Sequence, residues 1–103
     1  MENVDVARFD ELLKGEKPVV CDFYATWCGP CKMLAPVMEG AAEKYSDKAV
    51  FIKVDIDNNF ELAARYGVTS IPLVGVFKNG ELADSNLGYA SKSEMDEFLA
   101  NNL

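Results

Sequence analysis

An α/β fold, one domain over residues 1–103, is predicted by two features of the sequence. Strand-like and helix-like runs alternate from Val4 to Leu99, the pattern of a layered α/β architecture. The 103 residues, half of them hydrophobic, suffice for one hydrophobic core and are too few for a second.

Phe9, Leu12 and Leu13 have helical spacing behind Asp5, a candidate cap, and Gly15 can stop this short first helix. Pro18 then opens Val19-Val20-Cys21-Asp22-Phe23-Tyr24-Ala25, nearly continuous in apolar character, as a central strand covered on both faces must be. Asp22 is its single violation. From Cys31 onward Leu34, Val37, Met38, Ala41, Ala42 and Tyr45 recur with the period of an amphipathic helix. Cys28 and Cys31 therefore bracket a helix N-terminus, and Pro36, inside that helix, should kink it. Residues 49–55 read as a second buried strand. Residues 58–66 read as a helix with Leu62, Ala63 and Tyr66 inward and Gly67 as its stop. Residues 73–78 and 81–87 flank Asn79-Gly80, a strong signal for a two-residue hairpin turn, so these strands should be antiparallel. Ser91 with Glu94 makes a capping box before the apolar stripe Met95, Phe98 and Leu99 of a closing helix, beyond which Asn101, Asn102 and Leu103 are expected to fray.

Seventeen acidic against ten basic residues leave a net charge of −7 and a pI of about 4.4. Such a surface repels phosphate backbones and anionic lipid heads, so neither nucleic acid nor a membrane is an expected partner. The opening Met1-Glu2-Asn3-Val4-Asp5 has neither a basic n-region nor an apolar h-region, and a soluble, cytoplasmic protein is expected. Three cysteines cannot build a multi-disulfide scaffold, and a reducing cytosol keeps thiols free unless a catalytic pair cycles. The absence of histidine removes the commonest general base and the commonest metal ligand. Proton transfer is left to carboxylate, lysine, thiol, tyrosine or water.

A two-residue spacer at a helix N-terminus lets one sulfur face solvent while the other sits a turn inward, which permits a reversible disulfide. Cys28, just before the helix, feels the positive end of the macrodipole and unpaired N–H groups that stabilise thiolate; it is the candidate nucleophile. Cys31 must then lose a proton to resolve the mixed disulfide. Asp22, a carboxylate on a buried strand feeding the active loop, is the candidate acceptor, since desolvation raises its pKa. The competing reading is a satisfied structural carboxylate. Lys53 on the adjacent strand is either the charge partner of Asp22 or a lysine that snorkels to solvent.

Asp22-Phe23-Tyr24-Ala25-Thr26-Trp27-Cys28-Gly29-Pro30-Cys31-Lys32 resembles the active-site segment of the thioredoxin family, and Ile71-Pro72 and Phe77-Lys78-Asn79-Gly80-Glu81 stand where that family has its cis-proline and its hairpin. Cys-x-x-Cys alone is weak, because zinc sites share it. With Gly-Pro inside, Trp before it and Ile-Pro downstream it is specific. The resemblance implies a central five-stranded mixed sheet in the order 1-3-2-4-5 flanked by four helices, a redox disulfide between Cys28 and Cys31, and a cis Ile71-Pro72 bond. It implies a docking surface formed by Trp27, Gly29, Pro30, Ile71, Pro72, Gly88 and Tyr89. The implied activity is reduction of protein disulfides, with disulfide-containing client proteins and a thioredoxin reductase as partners, no cofactor, no metal, and a monomeric chain. A redox-independent binding module and an oxidase or isomerase on the same fold are the alternatives.

Three departures accompany the matches: Tyr24 stands where many members carry tryptophan, Leu73 where threonine is common, and Gly75 where a large aliphatic is usual. Cys21 should point to the opposite sheet face from Asp22 and reads as core packing. Glu39, Glu43, Asp47 and Asp57 read as solvated faces without function.

Overall fold

The computed structural model describes residues 1–103. Its elements run β1 (Glu2–Asn3), α1 (Val6–Leu13), β2 (Val19–Tyr24), α2 (Gly29–Lys44), β3 (Val50–Asp55), α3 (Phe60–Arg65), β4 (Leu73–Lys78), β5 (Glu81–Leu87) and α4 (Lys92–Asn102). The five strands form one sheet in the order β1-β3-β2-β4-β5. β1 and β2 both pair parallel with β3, β4 pairs antiparallel with β2, and β5 antiparallel with β4. No helix is long and apolar enough to cross a membrane.

Alternation along β2 divides the interior. Val19, Cys21 and Phe23 cluster with Phe9 of α1, Leu62 of α3, Ile52, Val54 and Phe77. On this face Phe77 meets Phe9 edge-on at 5.3 Å and Tyr66 at 5.0 Å between ring centroids, the arrangement aromatic quadrupoles favour. The opposite face gathers Val20, Val74 and Val76 with Leu34 and Met38 of α2 and Met95 and Leu99 of α4. Asp22 and Tyr24 share this second face with Val20. Cys21 is a free, buried thiol of the first face, and burial pushes its pKa well up, as expected for core packing.

Local chemistry accounts for most boundaries. The Asp5 side chain accepts the Arg8 N–H at 2.9 Å and caps α1. Gly67, at φ 64°, ends the α3 turn while the Val68 N–H donates back to the Ala63 carbonyl at 2.8 Å, a Schellman-type closure that a left-handed glycine permits. Asn79 and Gly80 both have positive φ, 54° and 80°, as a type I′ hairpin requires.

The differences from the sequence reading are local. β1 is only two residues long, too short to leave a period-2 signature, whereas Pro36 lies inside α2 as read from the sequence. α3 starts at Phe60 and not at residue 58, because Asn58 and Asn59 spend their side chains on Asp55 in the preceding turn. The C-terminus does not fray: Asn102 lies in α4 and its Nδ2 donates to the Phe98 carbonyl and to Asp84, both at 2.9 Å. The place left by Gly75 is filled, since a Cβ built there would stand 3.0 Å from both Leu82 Cδ1 and Phe77 Cε1.

Ser91 and Glu94 form the anticipated capping box, with Ser91 Oγ accepting the Glu94 N–H at 3.2 Å and Glu94 Oε1 accepting the Ser91 N–H at 2.9 Å. Ser91→Ala is expected to lower stability by about 1 kcal/mol, measured by urea denaturation; an unchanged midpoint would mean the box contributes nothing to α4.

Candidate active site

β2 ends at Tyr24, and the chain turns through Ala25, whose carbonyl accepts the Cys28 N–H at 3.3 Å. Cys28 is the N-cap of α2, Gly29 and Pro30 occupy the first two helical positions, and Cys31 the third. Proline is at ease in the first turn, where its missing N–H would have no partner. Cys28 and Cys31 are joined as a disulfide with Cα atoms 5.2 Å apart. Cys28 Sγ also accepts the Cys31 N–H at 3.2 Å, so one orphan amide of the helix start already points at the sulfur.

The expectation of one exposed and one buried sulfur is corrected. Cys28 and Cys31 are nearly equally buried, in a small cluster with Ala25 against which Tyr24, Ile56 and Ile71 pack. Open surface lies around it instead: Gly29 and Pro30 are exposed, Trp27 is 68% exposed, and a side chain at Gly29 would meet nothing.

The Ile71-Pro72 bond is cis. Pro72 is buried, and its carbonyl accepts the Gly88 N–H at 2.8 Å. Gly88 has φ 89°, a conformation that glycine alone adopts without strain, and Tyr89 beyond it is exposed. Ile71 thus touches the cysteine cluster and Gly88 is tied to Pro72.

Asp22 is 5% exposed, and its Oδ1 has no hydrogen-bond partner. Burial raises its pKa from 3.8 to about 6, with the Lys53 charge opposing. Lys53 stands opposite it in the parallel register of β2 and β3. The pair is not a salt bridge: the Lys53 ammonium lies over the Tyr24 ring, 5.5 Å from its centroid. A charge partner in contact is thereby replaced by one acting at longer range. Tyr24 in turn accepts a hydrogen bond on its hydroxyl from Asn3 Nδ2 at 2.7 Å.

Asp57 is exposed, as read from the sequence, and it also holds a neighbouring side chain. Its Oδ2 accepts the Trp27 indole N–H at 2.8 Å. Asp55 builds the turn that places it, accepting the Asp57 N–H at 3.0 Å on its buried carboxylate. The dense run Asp55-Ile56-Asp57-Asn58-Asn59 just past a parallel strand was the available signal, because sites in α/β sheets gather at the carboxyl ends of strands and such residues form side-chain turns. Glu39 likewise has a partner, the N-terminal ammonium at 3.5 Å.

A thioredoxin family model matches residues 1–101. A curated thioredoxin of Mycoplasmoides gallisepticum is 45% identical over 93 residues, 90% of this chain and 92% of that protein. One from Alicyclobacillus acidocaldarius is 42% identical over 94 residues, 91% of this chain and 90% of the other. A solved thioredoxin of Plasmodium falciparum superposes with a TM-score of 0.92 at 38% identity, covering 100% of both chains. A disulfide-bonded Cys-Gly-Pro-Cys at a helix N-terminus, in a chain with these relatives, therefore belongs to the thioredoxin family of thiol-disulfide oxidoreductases.

Proposed function

We propose that this protein reduces client disulfides with Cys28 as the attacking thiolate, Cys31 as the resolving thiol and Asp22 as the proton acceptor. The observation that carries this reading is the unpartnered carboxylate of Asp22 on the sheet face that α2 covers, beside the strand end from which the cysteines emerge. Cys28 thiolate attacks one sulfur of a client disulfide, forming a mixed disulfide and expelling the other client sulfur as thiolate. Asp22 takes the Cys31 proton, the Cys31 sulfur bonds to Cys28 Sγ, and the second client sulfur leaves. The client gains two electrons, and the pair ends as the Cys28–Cys31 disulfide.

The N–H of Cys31 directed at Cys28 Sγ supports the order of the two thiols, because a donor and a helix N-terminus both favour charge on Cys28. Trp27, Gly29, Pro30, Ile71, Pro72, Gly88 and Tyr89 are the surface on which we place the client. The exposed indole fixed by Asp57 and the exposed Gly29 and Pro30 support that placement. The backbone of Ile71, at a sharp turn, is suited to pair with an extended client strand. A reductase returns the pair to the dithiol form. A monomeric, cytoplasmic electron carrier is the setting this chemistry fits, since a reducing compartment returns a cycling pair to its dithiol form.

Two outcomes are expected. Mixed with an oxidised client protein, Cys31→Ser accumulates a covalent mixed disulfide and Cys28→Ser accumulates little or none, read by non-reducing gels and mass spectrometry; equal trapping by both would reverse or abolish the assignment.

The second concerns Asp22→Ala. A carboxylate whose folded pKa of about 6 lies above its ordinary 3.8 binds protons more tightly when folded. Its contribution to stability is complete below pH 3.8 and is lost as pH rises toward 6. Relative to Asp22→Ala, the oxidised wild-type protein is expected to lose about 3 kcal/mol across that window. Above it the variant is the more stable, as when poorly paired buried charges give way to apolar groups. Resolution of the mixed disulfide slows in the variant, increasingly so as pH falls below the thiol range toward 6, and the deficit closes below 6, where Asp22 of the wild type is itself protonated. Denaturation curves that stay parallel across the window would remove the physical support for Asp22 as the base.

A further inference from the structure

We propose that Tyr24 is a positioning residue: its ring holds the Lys53 ammonium within electrostatic reach of Asp22 but out of contact with it, and Asn3 fixes the ring in place. The inference rests on the reading of Asp22 as the proton acceptor and adds what sets its protonation.

The register places Asn3 beside Lys53 and Lys53 beside Asp22, one row across β1, β3 and β2. Tyr24, two residues beyond Asp22 on the same face, closes the row. Lys53 has every reason to fall onto Asp22, an anion across a strand pair in an apolar interior, yet no nitrogen–oxygen contact joins them. The Lys53 ammonium sits on the Tyr24 π face, an alternative partner that is attractive when partly desolvated. The phenol is tethered at its far end by the 2.7 Å Asn3 bond.

The other neighbours offer no substitute. β4 presents Val74 and Val76 to this face, and α4 presents Met95 and Leu99. The start of α2 presents the cysteine pair, and Asp55 on β3 is engaged with Asp57 and Asn58. Lys53 is the one cation acting on Asp22. An ammonium in contact would hold Asp22 ionised and make it a poor base, and one released to water would leave it protonated. The ring keeps it between those limits.

The experiment titrates the Asp22 carboxyl by carbon-13 NMR in the oxidised full-length protein and follows the pH profile of mixed-disulfide resolution in parallel. Tyr24→Leu frees Lys53 to pair with Asp22, and the carboxyl midpoint is expected to fall by about one pH unit, the low end for an opposite charge brought into contact. Asn3→Ala, an exposed change that leaves the core intact, moves it the same way by less, and Tyr24→Phe, which keeps the ring, restores most of the wild-type midpoint. In a Lys53→Met background Tyr24→Leu has no further effect, whereas a change caused by loosened packing or entering water would persist there. An unchanged or raised midpoint in Tyr24→Leu, or a shift that survives Lys53→Met, overturns the proposal. A midpoint that moves as expected while the resolution profile stays fixed supports the placement of Lys53 and removes Asp22 from the proton transfer, so the two readings fail separately.

Discussion

Everything reactive in this protein depends on the confinement of β2. All six of its residues pair with β3 and Val19 through Phe23 also pair with β4, and both faces are packed by apolar clusters. Such a strand cannot relax to let water in, so a carboxylate placed on it stays desolvated. It also fixes where the chain leaves the sheet, and α2 starts five residues beyond its last residue, with Cys28 as the cap. Position and electrostatics are thus set by the same element.

The two chemical groups receive opposite environments. Cys28 is given an amide donor and a helix N-terminus, which favour a negative sulfur. Asp22 is given burial and no donor on Oδ1, which favour the neutral carboxyl and raise its pKa to about 6, against the opposing pull of the Lys53 charge. Environments that differ in this way let one small site hold groups of opposite charge preference. The exposed part of the site is ordered by shorter tethers, Asp57 on Trp27 and the Pro72 carbonyl on Gly88. These join four loops in two pairs.

Much of this was legible in the sequence because it follows from short-range rules. The continuous apolar run of β2 exposes Asp22 as an anomaly, Asn79-Gly80 declares its hairpin, and Ser91 with Glu94 its cap. Reading Cys28 and Cys31 as the start of a helix needed only the period of Leu34, Met38 and Tyr45. What escaped the sequence depends on pairing between distant segments. Asp57 looks like any solvated acid until the Asp55 turn brings it to an indole thirty residues away. Lys53 looks like the salt-bridge partner of Asp22 until the Tyr24 ring, tethered through a two-residue strand too short to be recognised, takes the ammonium instead. The burial of Cys28 follows from its packing beside Ile56 and Ile71, which come from distant segments that no local pattern links to it.

The central claim, that the Cys28–Cys31 pair drives electrons into protein disulfides, is tested most directly by the position of its redox equilibrium. The oxidised protein is incubated in graded glutathione and dithiothreitol buffers, quenched by alkylation, and its dithiol fraction counted. The account predicts that the pair stays a disulfide in glutathione mixtures and reaches comparable dithiol and disulfide populations only in dithiothreitol buffers. Half-reduction in an oxidising glutathione mixture would instead mark the pair as an electron acceptor, and the protein as an oxidase or isomerase.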